Sequence, residues 1–159
     1  MEKVKVPKRV AFFIWIAAHG QILTLDNLML RGRPLAIRCC LCCCNAESVD
    51  HLLLFCLIAH SLWMYMLRLF GIVWVMPSSV VDLLFCWYHW LGKHSFDIWD
   101  SVPSCLMWTI WTERNWRSFK DEGKTVIQLL ELYQWILFDW SRCWGFSDCS
   151  ALFGFSFFY

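Results

Sequence analysis

The chain has 159 residues, 59 % of them hydrophobic and 17 % charged, with a formal net charge of +1. That is about one domain in length. It is more apolar and less charged than the ~45–50 % and ~25 % of an average soluble domain, so it either hides unusually much surface or lacks the partner that would cover it. Twelve Trp, thirteen Phe and four Tyr exclude a body that encloses all of its large rings. The charge is uneven: residues 1–38 carry seven Lys and Arg against Glu2 and Asp26, so any anion-binding face is expected at the N-terminal end.

In chain order, Pro7 suits a helix start, and Lys8–Ala18 is apolar all round with charge only at its beginning, which predicts a buried first helix ended by Gly20. Basic residues before this run and Ala18-His19-Gly20 after it loosely resemble a secretory leader, but the apolar run is short and its Phe12 and Trp15 suit a core. Thr24 reads as an N-cap, with Asp26 in the first turn of a short helix Leu25–Arg31 that stops at Gly32. Arg33-Pro34 breaks the chain before a cysteine cluster. Ser48 is the next N-cap, with Asp50 near the positive helix end, and one long helix is expected to continue to Phe70 and stop at Gly71.

Pro77-Ser78-Ser79 opens a helix Val80–Leu91, closed by Gly92, with Trp87 and Trp90 on one face. Residues 93–100 read as a loop. Pro103 starts a helix Ser104–Lys120, with Trp108, Trp111 and Thr112 on one side, ended by Gly123. A last helix, Thr125–Arg142, carries Leu129, Leu132, Trp135, Ile136 and Trp140 at helical spacing. The Phe- and Ser-rich stretch 146–159 has no periodicity and is expected to be an unstructured tail. The fold class is therefore all-α, with a metal knuckle embedded between the second and third helices. Residues 1–120 are expected to form one domain around the cysteine cluster and 121–145 a C-terminal helix.

The chemistry is concentrated in residues 39–56, which hold six of the ten cysteines and His51. Five cysteines fall within residues 39–44, too close to pair with one another without strain, which favours metal ligation in a reducing compartment over a secreted disulfide scaffold. Zinc takes four tetrahedral N or S ligands, and Cys39-x2-Cys42 followed by His51-x4-Cys56 supplies them from two short pairs. Cys40 and Cys43 form an equally spaced rival pair, and Cys44 is a spare thiol. The plainer alternative makes the cysteines small buried hydrophobes and His51 a capping residue. A regular helix aims residues five apart about 140° away from each other. His51 and Cys56 can therefore meet one ion only if the helix begins near His51 or is distorted there.

The sequence resembles the zinc-binding domain that follows the reverse transcriptase in plant non-LTR (LINE-type) retroelements. The likeness rests on Val6-Pro7-Lys8-Arg9-Val10, Phe13, Trp15, Ile22, Thr24, Asp26-Asn27-Leu28, Arg31-Gly32, the Cys39-x2-Cys42 pair, Glu47-Ser48-Val49-Asp50-His51-Leu52-Leu53, Cys56 and Trp63. Downstream it takes in Trp99, Pro103, Trp108, Ile110-Trp111 and Glu113-Arg114-Asn115, so it spans roughly residues 6–120. The resemblance implies that Cys39, Cys42, His51 and Cys56 ligate zinc, that the chain is a segment of a larger polymerase, and that RNA or DNA is its partner.

Lys8, Arg9, Arg31, Arg33 and Arg38, with Lys3 and Lys5, read either as a nucleic-acid footprint near the knuckle or as an ordinary solvated rim. His60, His89 and His94 have no acidic or nucleophilic partner at motif spacing, and Glu113-Arg114-Asn115 reads as the exposed end of a helix. No phosphate loop, nucleophile elbow or His-Glu-x2-His helix occurs, so neither an enzyme nor a small-molecule substrate is expected. Two other functions compete: a protein-interaction module packing on a missing polymerase domain, and a membrane-associated helical protein. The apolar run Leu52–Leu67 falls short of the ~20 residues a span requires.

Overall fold

The computed structural model describes residues 4–34, 36–89 and 98–145. Among them are six α-helices: α1 Lys8–Ala18, α2 Leu25–Leu30, α3 Leu57–Leu69, α4 Val80–His89, α5 Val102–Lys120 and α6 Val126–Cys143. A single π-turn, His51–Phe55, precedes α3, and a 3-10 turn, Trp99–Ser101, leads into α5. The expected positions Trp90, Leu91, Gly92, His94, Lys3, most of the loop 93–100 and the tail 146–159 lie outside the described residues.

The apolar pattern at every third or fourth position builds the core. Helix α1 buries Val10, Phe13 and Ala17 against α5, where Phe13 meets Trp108 edge-on at 5.4 Å and stacks on Trp111 at 5.7 Å. The helix is not buried all round as its composition suggests. Phe12 and Trp15 are 63 % and 56 % exposed, because among the described residues α1 packs on its neighbours with its other side. Gly20 sits at φ +66°, the left-handed conformation that lets the Gly20 and Gln21 N–H groups close the end of α1 on Ala17 and Ile16. Asn27 then ties α2 to that end, donating to the Gly20 and Ile22 carbonyls at 2.7 Å each.

Helix α5 is the central element, its first turns buried on nearly every side, and it packs on α1, α3 and α6. Pro103 lies in its first turn as expected, but the helix begins at Val102 and is stopped by Asp121 at φ 54°, before Gly123. Gly123 has a different role: a Cβ there would meet Arg117 Nε at 2.7 Å, so any larger residue would make that guanidinium shift. The expected loop before α5 contains the 3-10 turn, which buries Trp99. Its ring stacks on Trp87 of α4 at 4.2 Å, and the Trp87 indole donates to the Trp99 carbonyl at 3.1 Å.

Thr125 caps α6 as a reciprocal box with Gln128, each accepting from the other's backbone N–H. The buried stripe of α6 is Leu129, Tyr133, Leu137 and Trp140, rotated from the expected one, and Trp135 faces solvent. Both stripes are apolar at helical spacing, so contact with α5 and α3 makes the choice. Among the described residues, no helix is long and apolar enough to cross a membrane.

Candidate metal centre

The knuckle begins with a short antiparallel bridge, Arg38 to Ala46, held by Cys39 N–H donating to the Asn45 carbonyl at 2.8 Å and Glu47 N–H to the Ile37 carbonyl at 2.6 Å. Between the bridged segments Cys39 and Cys42 stand on a tight turn, closed by the Cys43 N–H on the Cys39 carbonyl at 2.9 Å. The second ligand pair brackets the π-turn. Ser48 caps it, its hydroxyl accepting from His51 N–H at 3.1 Å, and the Cys56 N–H donates to the His51 carbonyl at 2.6 Å, five residues back.

The single long helix expected from Ser48 to Phe70 is therefore interrupted. One π-turn leads into Cys56, whose backbone is extended at φ −53° and ψ 137°, and α3 starts afresh at Leu57. This is the distortion that the five-residue step between ligands requires. The interruption frees the Leu53 carbonyl, which accepts from the buried Trp63 indole at 2.8 Å. The Asp50 carboxylate reaches away from its own helix and accepts from Val80 N–H at 2.9 Å, capping α4.

Cys39, Cys42, His51 and Cys56 each present a ligand atom, and all four atoms lie within 4.8 Å of one another. Cys39 Sγ is 3.9 Å from Cys56 Sγ, and Cys42 Sγ is 3.4 Å from His51 Nε2. A zinc tetrahedron with Zn–S near 2.3 Å and Zn–N near 2.05 Å sets these edges at about 3.8 and 3.6 Å. The donor set and its spacing fit the ion. Burial lowers the His51 pKa and so favours the neutral imidazole that ligates. Contact between the two sulfurs and burial push the Cys39 thiol up, while the hydrogen bond from Cys39 draws Cys56 down. Zinc takes thiolates, so loading the site releases thiol protons.

The rival cysteines point elsewhere. Cys40 is turned toward α5, where Ser118 Oγ donates to its sulfur at 3.3 Å. Cys43 is exposed, and the Cys44 thiol donates to the Cys42 carbonyl at 3.1 Å. Among the described residues only the Cys39 register gathers a metal-capable cluster. Cys43 has φ 56°, a left-handed conformation in which a side chain crowds its own backbone. Cys43→Gly should therefore raise stability by about 0.5–1 kcal/mol with zinc content unchanged, measured by denaturant unfolding of the zinc-loaded protein.

A buried ion pair behind the knuckle went unread in the sequence. The Glu47 carboxylate is fully buried and takes four donors: Leu25 N–H at 3.1 Å, Cys40 N–H at 3.3 Å, and Arg114 Nε and Nη2 at 3.0 and 2.7 Å. It thus caps α2, holds the cysteine turn and anchors both to α5. Glu113 and Arg114 are correspondingly buried, not the exposed helix end that their charge suggests. Glu113 accepts from Arg117 Nε at 2.8 Å and Lys124 N–H at 2.7 Å, and Arg117 reaches on to the Leu41 carbonyl at 3.3 Å. The available signal was the pair of charged motifs, Glu47-Ser48-Val49-Asp50-His51 and Glu113-Arg114-Asn115, each set in apolar text.

The basic residues lie on three separate elements: Lys8 and Arg9 in the first turn of α1, Arg31 and Arg33 at the end of α2, and Arg38 in the knuckle bridge. All five are exposed, and among the described residues none has a carboxylate within 4.0 Å. Arg9 lies over the Trp108 ring at 5.6 Å. His60 and His89 are exposed, and the His89 ring hydrogen-bonds the Phe85 carbonyl at 2.9 Å.

Three cysteines and one histidine whose ligand atoms gather within 4.8 Å of one another form a donor set that could hold a zinc ion. Residues 1–63 match a family model described as zinc-binding in reverse transcriptase, a span that runs from before α1 into α3 and contains all four clustered residues. Zinc is the cofactor that this site and this likeness both indicate. No curated protein and no solved structure matches the chain.

Proposed function

We propose that the chain is a zinc-stabilised, non-catalytic module of a reverse transcriptase, of the kind carried by plant LINE-type retroelements, and that it helps the polymerase hold RNA or DNA. The observation that carries this reading is the four-ligand cluster inside the segment similar to a reverse-transcriptase zinc-binding domain. A site with four protein ligands supports a structural metal rather than a catalytic one. Lys8, Arg9, Arg31, Arg33 and Arg38 support the nucleic-acid role, being exposed and unengaged by carboxylates among the described residues.

Titration of labelled single-stranded RNA at several salt concentrations tests the role. Changing all five cations to Ala should lower affinity at low salt and flatten the salt dependence, by roughly 0.7 in the log–log slope for each phosphate that is no longer neutralised. Unchanged binding and slope would remove these residues from the interface. A second reading, packing against a polymerase domain, is favoured by exposed apolar residues outside α1 and α2, including Val73, Val75, Phe119 and Ile127. Solubility rescued by co-expressing the polymerase portion, with no RNA binding by the soluble complex, would favour that reading.

A further inference from the structure

The outer face of α1 combines features that the zinc centre and the core do not use. Lys8, Phe12, Trp15 and His19 follow one another at steps of four, three and four residues, so they form one line along the helix. The core-facing residues Val10, Phe13 and Ala17 occupy the opposite side and already fill the contact with α5. Phe12 and Trp15 remain mostly exposed, their rings inclined by only 23° with centroids 6.2 Å apart. The exposed His19 ring lies against Trp15 at 4.6 Å, and its Nδ1 is hydrogen-bonded to the Trp15 carbonyl at 2.7 Å, which fixes its orientation. The result is three flat rings in series, held by a rigid element.

The stretch of chain that carries this row bears charge of one sign. Lys8 begins the line and Arg9 stands beside it, and residues 3–25 contain no Asp or Glu. A protein-binding face of the ordinary apolar kind needs no such exclusion of carboxylates. Aromatic faces beside fixed positive charge are what a polyanion with flat, unpaired bases requires, because each base offers a π-face and each linkage a phosphate. In a duplex the base faces are already covered by stacking.

We propose that the Lys8–Phe12–Trp15–His19 face of α1 is a stacking platform for single-stranded nucleic acid. Phe12 and Trp15 receive bases on their exposed faces, His19 extends the row, and Lys8 with Arg9 neutralises the adjoining phosphates. This rests on the nucleic-acid reading above and specifies its ligand as single-stranded.

The test uses the full chain loaded with zinc and three probes of one sequence: an unstructured RNA strand, the same strand as DNA, and the blunt DNA duplex. The double variant Phe12→Ala/Trp15→Ala should bind both single strands far more weakly, by roughly ten- to a hundredfold for each ring removed. Its duplex binding and the salt dependence of its remaining single-strand binding should stay as in wild type, since every cation is still in place. Trp15→Phe should retain most of the affinity. Both residues are exposed, so zinc content and unfolding midpoint provide the check that the variant is folded. If wild type binds the strands, the five-cation variant does not, and the double variant binds as wild type, the platform is overturned while the electrostatic interface stands. Equal losses on duplex and single strand also overturn it. If wild type binds none of the three probes, the nucleic-acid reading and the platform fall together.

Discussion

Cys39→Ser and Cys56→Ser should each yield protein that binds no zinc at stoichiometric metal, whereas Cys40→Ser should retain one ion per chain. The register follows from where the sulfurs point: Cys39 and Cys56 are fully buried and 3.9 Å apart, while Cys40 is engaged by Ser118. Metal binding contributes on the order of 10 kcal/mol in small zinc domains, where the unfolded chain offers no preformed site. Here the helical core does not depend wholly on the ion, so the loss should concentrate in the cysteine turn, α2 and the π-turn. A chelator should lower the thermal midpoint of wild type and Cys40→Ser while leaving Cys39→Ser unmoved. Metal analysis with melting curves decides the matter, and a Cys39→Ser protein with a full complement of zinc would refute the assigned set.

The second large effect belongs to the buried ion pair. Arg114→Ala leaves the Glu47 carboxylate buried without its two guanidinium donors, and removing one partner of such a pair costs about 3–5 kcal/mol. Arg31→Ala, at an exposed site without a carboxylate partner among the described residues, should stay within about 0.5 kcal/mol of wild type. Because Glu47 also holds the Cys40 N–H, Arg114→Ala should weaken zinc binding by roughly ten- to a hundredfold, the size of other outer-shell effects. Denaturant unfolding of the two variants, combined with competition against a zinc chelator, measures both quantities. A loss below about 1 kcal/mol for Arg114→Ala would show that the pair is exchanged for water at little cost.

The second prediction depends on a feature that the sequence left hidden, and the reason is specific. Glu47 and Arg114 are 67 residues apart, and neither motif carries a mark of its partner. Charge on α5 suggested a solvated helix end because charged groups are seldom buried unless paired, and pairing over such a distance is a property of the fold. The zinc set was legible because its ligands are close in sequence and the ion's geometry limits the spacings that can serve. The requirement for a distorted helix could also be stated in advance, since 3.6 residues per turn cannot bring His51 and Cys56 together. Its form could not: a π-turn ending at an extended Cys56 also depends on Trp63 being placed to take the Leu53 carbonyl.

Local chemistry by itself determined the bounds of α1, the cap at Ser48, the breaks at Gly20 and Gly71, and the short window of chain that supplies the metal ligands. Each depends on groups within a few residues of one another, where backbone hydrogen bonding and side-chain geometry leave little choice. Tertiary structure alone decided which sides of the helices are buried. In a chain that is 59 % hydrophobic, α1 and α6 have more than one apolar stripe at helical spacing, and periodicity cannot rank them. Contact with α5 selects Phe13 over Phe12, and contact with α5 and α3 selects Tyr133 over Trp135, because burial requires a neighbour and the neighbours come from distant parts of the chain.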